Sequence, residues 1–301
     1  MSTKRVLSIQ SHVVSGYVGN KSAVFPLQVL GYEVDFINSV QFSNHTGYGQ
    51  WKGQVLNDVD LDDLFQGLKM NNLTVYDSLL TGYVGSESFL RKICQVVKDI
   101  KFNNPNCVYL CDPVLGDDGH FYVPPSLVPI YVNEVLPLAD IITPNTFEIQ
   151  NLSGMTVRTE SDVLEATQIL HDKGVATVVL SSLDFAKEIA TYVSHRKGCG
   201  RQVWKVITPK ISGKFTGSGD LFSALFLGWY SKMNQDLPKA LTATLTSMGK
   251  VLQRTYEYSK IVPSTSKAPT ELQLVQSLDD IRSPCVNLEA VTVPIRSACL
   301  K

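Results

Sequence analysis

The fold is indicated first by residues 87–112, whose sequence is ESFLRKICQVVKDIKFNNPNCVYLCD. Residues 87–100 carry apolar side chains at three- and four-residue spacing, which is the period of one face of an α-helix. These side chains are Phe89, Ile93, Val96, Val97 and Ile100. The run Val108-Tyr109-Leu110-Cys111 that follows is apolar throughout. Such a run is typical of a strand that is buried on both faces, as in a parallel sheet covered by helices.

The same alternation of short β-branched runs and amphipathic stretches continues along most of the chain. Strands are predicted at 6–10, 33–38, 78–83, 107–112, 140–143, 177–181, 189–193 and 203–207. Helices are predicted at 23–30, 61–70 (with Leu64 and Leu68 on the apolar face), 87–100, 163–173, 220–234, 239–258 and 270–281. The last twenty residues indicate a mixed, strand-like tail. The pattern predicts one α/β domain over residues 1–301, doubly wound, with a central, mostly parallel β-sheet flanked by helices on both faces.

Composition excludes several classes of protein. In 301 residues, 44% are hydrophobic and 18% are charged, so the chain can bury a large core and is neither disordered nor fibrous. Lys+Arg 27 against Asp+Glu 28 gives a net charge of −1, which argues against binding to nucleic acid or to a membrane surface. The six cysteines form no CxxC pair, and no signal peptide or transmembrane stretch is evident. We therefore expect a cytoplasmic protein with reduced thiols.

The most specific local feature is the glycine turn Phe215-Thr216-Gly217-Ser218-Gly219-Asp220, which leads directly into an apolar helical stretch. Glycines let a backbone approach a ligand closely, and the free N–H groups at the start of a helix attract anions. The turn therefore predicts an anion site with a carboxylate beside it. The structural alternative is an Asp-capped buried helix that follows a glycine turn.

Two further clusters follow predicted strands, where the ligands of such sheets bind. In residues 111–119, Asp112 and Asp117 could serve a hard cation bound together with nucleotide phosphates, or could belong to a solvated acidic turn. In residues 143–148, Glu148 could cap a short helix or hold water around Mg²⁺. Residues 40–51 combine aromatic and polar side chains, which suits a flat aromatic ligand, a hairpin over the sheet or a dimer contact.

The sequence lacks the defining motifs of several other classes of enzyme. Residues 15–22 end in Lys21-Ser22 like a phosphate-binding P-loop, but Ser15 and Asn20 occupy its two defining glycine positions. The GxGxxG, HExxH and GxSxG patterns are also missing from the sequence.

The order of these motifs resembles the ribokinase-like superfamily of small-molecule kinases and, within it, the pyridoxal kinase family. Residues 8–20, 38–48, 51–57 and 80–83 are similar to that family's substrate half, and the substrate motifs fall mainly within residues 6–90. Residues 111–117, 139–148 and 217–220 are similar to its nucleotide half, and the ATP and anion-hole motifs fall mainly within residues 107–260. The resemblance extends from Val6 to about Arg254.

The resemblance implies ATP-dependent phosphorylation of the 5′-hydroxymethyl group of pyridoxal, and also of pyridoxine and pyridoxamine. It makes Asp220 the catalytic base and the amides of Gly217, Ser218 and Gly219 the anion hole. The implied pyridine pocket contains Ser11, Val18, Phe42, His45, Thr46, Trp51 and Tyr83. The implied ATP contacts are Asp112, Asn145, Glu148, Ser182 and Ile211, together with the anion hole. Asp112, Asp117 and Glu148 would serve Mg²⁺, and Thr143 and Ser181 would serve a monovalent cation such as K⁺.

The family further implies a cytosolic homodimer. Two alternatives remain open at this point: a kinase for another heteroaromatic alcohol, such as hydroxymethylpyrimidine, and a non-catalytic protein that binds vitamin B6.

Overall fold

The computed structural model describes residues 3–185, 187–198, 200–261 and 270–295. The strands are β1 Arg5–Val13, β2 Glu33–Phe42, β3 Gly53–Val55, β4 Ser78–Thr81, β5 Val108–Cys111, β6 Gly116–Asp117, β7 His120–Phe121, β8 Ile141–Ile142, β9 Thr177–Phe185, β10 Glu188–Lys197, β11 Gly200–Pro209 and β12 Val291–Thr292. The helices are α1 Asn20–Val29, α2 Asp58–Met70, α3 Glu87–Asn103, α4 Leu127–Ile130, α5 Thr146–Ser153, α6 Glu160–Asp172, α7 Ser218–Lys232, α8 Leu237–Ile261 and α9 Leu278–Arg282.

One sheet joins ten of these strands in the order β12-β11-β10-β9-β8-β5-β4-β1-β2-β3. The strands from β9 to β2 in this order are parallel to their neighbours. At the two ends of the sheet, β3 and the strands β10 to β12 pair antiparallel. The predicted central, mostly parallel sheet is therefore confirmed.

Helices cover both faces of this sheet, as predicted. One apolar core lies under α2, α3, α5 and α6, and the other lies under α1, α7, α8 and α9. The central strands have side chains in both cores: Tyr109 and Cys111 belong to the first, and Leu110 belongs to the second. This two-sided burial explains the uninterrupted apolar run that the sequence shows in β5.

Two predictions about helices are wrong. On α2 the core side chains are Leu61 and Phe65, and Leu68 packs against the same core as predicted. Leu64 is exposed because it lies just outside the helix face that these three residues share. The helix predicted at 270–281 is limited to a 3-10 turn at Val275–Ser277 and α9. The preceding residues alternate instead, with Leu272 and Leu274 both fully buried, which is the period of extended chain.

The predicted strand-like tail is confirmed in part. Strand β12 pairs with β11 within residues 282–295, and residues 296–301 lie outside the described part of the chain. None of the helices in the described residues has the length and apolarity needed to span a bilayer.

The parallel strands place their carboxyl ends at one edge of the sheet. Thr81 ends β4, Asp112 follows β5 and Thr143 follows β8. Ser181 lies in β9, where its N–H group donates to the carbonyl oxygen of Pro144 at 3.0 Å. The candidate site is therefore assembled from residues that are far apart in sequence, as expected for sheets of this topology.

Candidate active site

The glycine turn before α7 has a backbone that only glycine adopts easily. Gly217 has φ = 82°, and a Cβ atom there would lie 2.0 Å from the carbonyl oxygen of Tyr17. The N–H group of Ser218 closes the turn on the carbonyl oxygen of Phe215 at 3.3 Å, whereas those of Gly219 and Asp220 have no acceptor among the described residues. The turn therefore has free N–H groups at the positive end of a 15-residue helix; Gly219 belongs to the predicted anion hole, whereas Asp220 was not predicted to contribute its N–H group.

The loop before α1 and the first turn of α1 both contact the glycine turn. The N–H group of Gly19 donates to Asp220 Oδ2 at 2.8 Å, and Ser22 Oγ donates to the Gly217 carbonyl oxygen at 3.0 Å. Our rejection of this loop as a P-loop was based on its missing glycines. Its contribution through Gly19 and Ser22 was not predicted, although its glycine-rich sequence was a usable signal.

A buried amide fixes the position of Gly19. The next residue, Asn20, is fully buried and accepts a hydrogen bond from Ser8 Oγ at 2.7 Å. Its Nδ2 donates to Asn38 Oδ1 at 2.8 Å and to the Ile37 carbonyl oxygen at 3.0 Å. Because each of these bonds lies inside the protein, Asn20 anchors the start of α1 to β1 and β2.

Asp220 is partly exposed and has a perturbed acidity. Burial raises the pKa of its carboxyl group to about 6, and the hydrogen bond from Gly19 opposes that rise. A pKa near 6 leaves Asp220 mainly ionised at neutral pH. A carboxylate with this pKa can both accept and release a proton near neutral pH.

A second buried carboxylate lies behind the first. Burial and the charge of Asp220 both raise the pKa of Asp112, and a hydrogen bond from Ser223 lowers it. Ser223 Oγ donates to Asp112 Oδ2 at 3.0 Å and lies 2.8 Å from Thr143 Oγ1. Because Ser223 gives its only proton to Asp112, Thr143 donates to Ser223.

Glu148 forms a capping box with Asn145 at the start of α5. Glu148 Oε2 accepts from the Asn145 N–H group at 2.8 Å, and Asn145 Oδ1 accepts from the Glu148 N–H group at 2.9 Å. Glu148 Oε1 also accepts from the Leu115 N–H group at 3.0 Å, and Asn145 Nδ2 donates to the Gly116 carbonyl oxygen at 2.8 Å. The capping role considered from the sequence is therefore present, and the box also holds the loop after β5.

Asp117, the third predicted magnesium ligand, lies in a different environment. It is exposed in β6, and its Oδ1 accepts from the Asp118 N–H group at 2.8 Å. Across the described residues, no group of three or more His, Cys, Asp and Glu side chains forms a ready metal cluster.

The remaining pair of carboxylates still suits a hard cation. Asp112 and Glu148 are both buried, and neither has a Lys or Arg partner among the described residues. Burial raises the pKa of Glu148, and the charge of Asp112 raises it further. Mg²⁺ is commonly bound by one or two carboxylates together with substrate phosphates, so these residues fit such an ion.

The predicted cation and nucleotide residues lie along the next strand ends. Ser181 Oγ donates to the Pro144 carbonyl oxygen at 3.3 Å, which places Ser181 beside Thr143. The carbonyl oxygen of Ser182 accepts from the Thr146 hydroxyl group in the first turn of α5. Ile211 follows β11 and is partly exposed.

The predicted pyridine-pocket residues fall into two sets. Ser11 adjoins Gly19 in the loop before α1, because a Cβ atom on Gly19 would lie 2.4 Å from Ser11 Oγ. Val18 adjoins the glycine turn, because a Cβ atom on Gly217 would lie 3.3 Å from Val18 Cα. Phe42, His45, Thr46 and Trp51 lie on the segment from the end of β2 to β3, and Tyr83 follows β4. The rings of Phe42 and Trp51 are 6.5 Å apart, and Ser39 Oγ donates to the Tyr83 carbonyl oxygen at 2.7 Å, which joins β2 to the end of β4.

The chain is similar to known proteins over nearly its full length. A pyridoxal kinase of Arabidopsis thaliana is 48% identical over 291 residues, covering 96% of this chain and 94% of that protein. The human pyridoxal kinase is 44% identical, covering 96% of this chain and 98% of that protein. The chain belongs to the pyridoxal kinase family. A pyridoxal kinase of Leishmania donovani, solved in complex with ADP and pyridoxamine, has a TM-score of 0.90 at 32% identity, covering 97% of this chain and 100% of that chain.

A family model described as phosphomethylpyrimidine kinase also matches residues 72–261. This range contains the glycine turn, the capping box and the strand ends that carry the buried carboxylates. It leaves out residues 11–51, which hold most of the predicted pocket. The fold of this pyridoxal kinase family member is thus the ribokinase-like fold expected from the sequence.

Proposed function

We propose that this chain transfers the γ-phosphoryl group of ATP to the 5′-hydroxymethyl group of pyridoxal, and also phosphorylates pyridoxine and pyridoxamine. The observation that carries the proposal is the placement of Asp220: its carboxylate is held by Gly19 at 2.8 Å, beside the free N–H groups that begin α7. Family relatives over the full length of the chain support the choice of substrate.

The mechanism follows from the residues of the site. Asp220 accepts the proton of the hydroxyl group as its oxygen forms a bond to the γ-phosphorus, and the bond from that phosphorus to the ADP oxygen breaks. The amides of Gly217, Ser218 and Gly219 would stabilise the charge on the transferred group, the Ser218 N–H group by exchanging its 3.3 Å bond to the Phe215 carbonyl oxygen for a phosphate oxygen. Comparable donors contribute about 3–4 kcal/mol each. Since the pKa of Asp220 is about 6, the proton passes to water afterwards.

Asp112, Glu148 and Asp117 would hold Mg²⁺ with the nucleotide, and Thr143 with Ser181 would hold a monovalent cation, for which we propose K⁺. When bound, the divalent ion neutralises charge on the phosphate oxygens. Asn145, Ser182 and Ile211 would contact the nucleotide.

In the substrate half, Ser11 and Val18 would place the pyridine ring in front of Asp220. Phe42, His45, Thr46, Trp51 and Tyr83 would complete the pocket.

A coupled assay of ADP release tests this function. We expect release to depend on added pyridoxal and to yield pyridoxal 5′-phosphate in equal amount. Release that is the same with and without pyridoxal would contradict the proposal. Pyridoxal binding without consumption of ATP would instead indicate the non-catalytic B6-binding protein.

A second candidate is a hydroxymethylpyrimidine kinase, because the matching family model is named for that activity. The model leaves out residues 11–51, where most of the predicted pocket lies, so the substrate choice rests on the full-length relatives. Side-by-side turnover of the two alcohols distinguishes the candidates, and a higher kcat/KM for the pyrimidine would favour the second.

We also propose that residues 1–301 form one domain, since a single sheet joins β3 at one end to β12 at the other. The protein is proposed to be a cytoplasmic homodimer. Exposed apolar side chains near the β3 end of the sheet, Val14, Phe36, Trp51 and Val55, support a subunit contact there. Light scattering of the purified protein would give the mass, and a monomer at micromolar concentration would contradict the dimer.

A further inference from the structure

Glu271 joins three distant parts of the chain and was not among the predicted site residues. It lies in the extended segment before α9, next to the buried Leu272. Its Oε2 accepts from the Tyr17 N–H group at 2.8 Å, and its Oε1 accepts from the Tyr48 hydroxyl group at 2.8 Å. Oε1 also lies 3.3 Å from Nε2 of His45. One carboxylate therefore ties the loop before α1 to the turn after β2.

The backbone of the loop makes room for this carboxylate. Gly16 has φ = 97°, and a Cβ atom there would lie 2.5 Å from Glu271 Oε1. The Glu271 side chain is only 20% exposed, and within the described residues no Lys or Arg pairs with it. Burial alone would raise the pKa of Glu271, but His45 and the hydrogen bonds from Tyr17 and Tyr48 lower it overall, so the side chain keeps its charge.

The same carboxylate orients a predicted pocket residue. The Gly47 N–H group donates to His45 Nδ1 at 3.2 Å, so a neutral His45 ring carries its proton on Nε2, the nitrogen that faces Glu271. The ring also packs against Tyr48 at 4.7 Å between centroids. Nδ1 thus accepts from a backbone amide, while the buried Nε2 lies beside the Glu271 carboxylate with no hydrogen bond among the described residues.

We propose that Glu271 is a positioning residue for the pyridine pocket. It acts through His45 and Tyr48 on one side and through the Tyr17 backbone on the other, and it sets the separation between Val18 and the turn after β2. The inference rests on the proposed function, since its target is the alcohol substrate and not the nucleotide.

Glu271→Gln tests the inference because the amide keeps the shape of the side chain and removes its charge and one acceptor. We expect KM for pyridoxal to rise about tenfold, because hydrogen bonds to a charged group are lost. KM for ATP should stay within about twofold, since Glu271 contacts no predicted nucleotide residue directly and reaches the glycine turn only through the Tyr17 backbone. The matched control is Glu257→Gln on the exposed surface of α8, which should leave both constants unchanged.

A second variant separates positioning from simple loss of stability. Tyr48→Phe removes one contact with Glu271 and should raise KM for pyridoxal by a smaller factor. In the double variant its effect should be smaller than in the wild type, because the tyrosine hydroxyl group acts only through the side chain at position 271, which then lacks its charge. Equal changes in both KM values, or fully additive effects of the two substitutions, would overturn the proposal.

The wild-type protein is assayed first, so that the two proposals are tested separately. Absence of pyridoxal turnover in the wild type would refute the proposed function. The KM comparison would then be made with the alcohol that the protein does accept, and an unchanged KM for that alcohol in Glu271→Gln would overturn the role of Glu271.

Discussion

Replacing Asp220 by Asn should change activity and stability in opposite directions. The amide cannot accept the hydroxyl proton, so we expect kcat to fall by about 10²–10⁴. Burial raises the pKa of Asp220 from 3.8 to about 6, so the ionised carboxylate destabilises the folded state. A shift of this size corresponds to about 3 kcal/mol above pH 6, and partial exposure reduces it to about 2 kcal/mol. For a chain of 301 residues that is a rise of about 3 °C in Tm.

The pH dependence of this gain checks its cause. Because the folded pKa of Asp220 is raised, the destabilisation is complete above about pH 6 and vanishes below about pH 4, where both states are protonated. Thermal unfolding of wild type and Asp220→Asn at several pH values measures the difference. Asp63→Asn on the exposed face of α2 is the matched control and should change neither kcat nor Tm. Near-normal turnover in Asp220→Asn, or a stability gain that is larger in acid, would refute the reasoning.

Three further predictions concern the same site. Gly217→Ala should lower the free energy of unfolding, measured in urea, by about 4 kcal/mol. Gly154→Ala is the control, because Gly154 has a similar φ of 76° but open space around it, and should cost about 1 kcal/mol; equal costs would show that crowding at Gly217 is unimportant. Ser223→Ala removes the hydroxyl donor of Asp112 and should lower kcat/KM for ATP about tenfold in steady-state assays; a change only in KM for pyridoxal would contradict this. In the wild type, kcat/KM for pyridoxal should fall tenfold per pH unit below about 6 as Asp220 protonates; a flat profile there would exclude Asp220 as the base.

The central part of the fold could be predicted because its signals are local. An apolar run such as that of β5 needs burial on both faces wherever it lies, and α3 shows its buried face in its own spacing. The helix predicted at 270–281 was wrong where the spacing of apolar side chains fits both a helix and an extended chain. Residues 270–274 have enough apolar side chains for a helix, but the burial of Leu272 and Leu274 on one side of an extended segment decided the outcome.

The candidate site was predictable to the extent that topology determines it. Strand ends carry Asp112 and Thr143, and any parallel sheet brings such ends to one edge. The glycine-rich loop was a signal for Gly19, but its pairing with Asp220, 201 positions away, has no signal in the sequence. Glu271 was missed for a related reason: its three contacts lie on segments more than 200 positions earlier, and its own stretch was assigned to a helix.

The ribosome makes Gly19 long before its partner Asp220, because the two residues are 201 positions apart. A ribosome adds about 5–20 residues per second, so about 10–40 s pass between the emergence of the two residues. During this interval α1 has no α7 to cover it, and Leu27 and Leu30, which pack near Gly228 in the finished protein, remain open to solvent. Nascent chains that stop short of α7 should therefore be inactive and prone to aggregate, and they are the species that chaperones would engage.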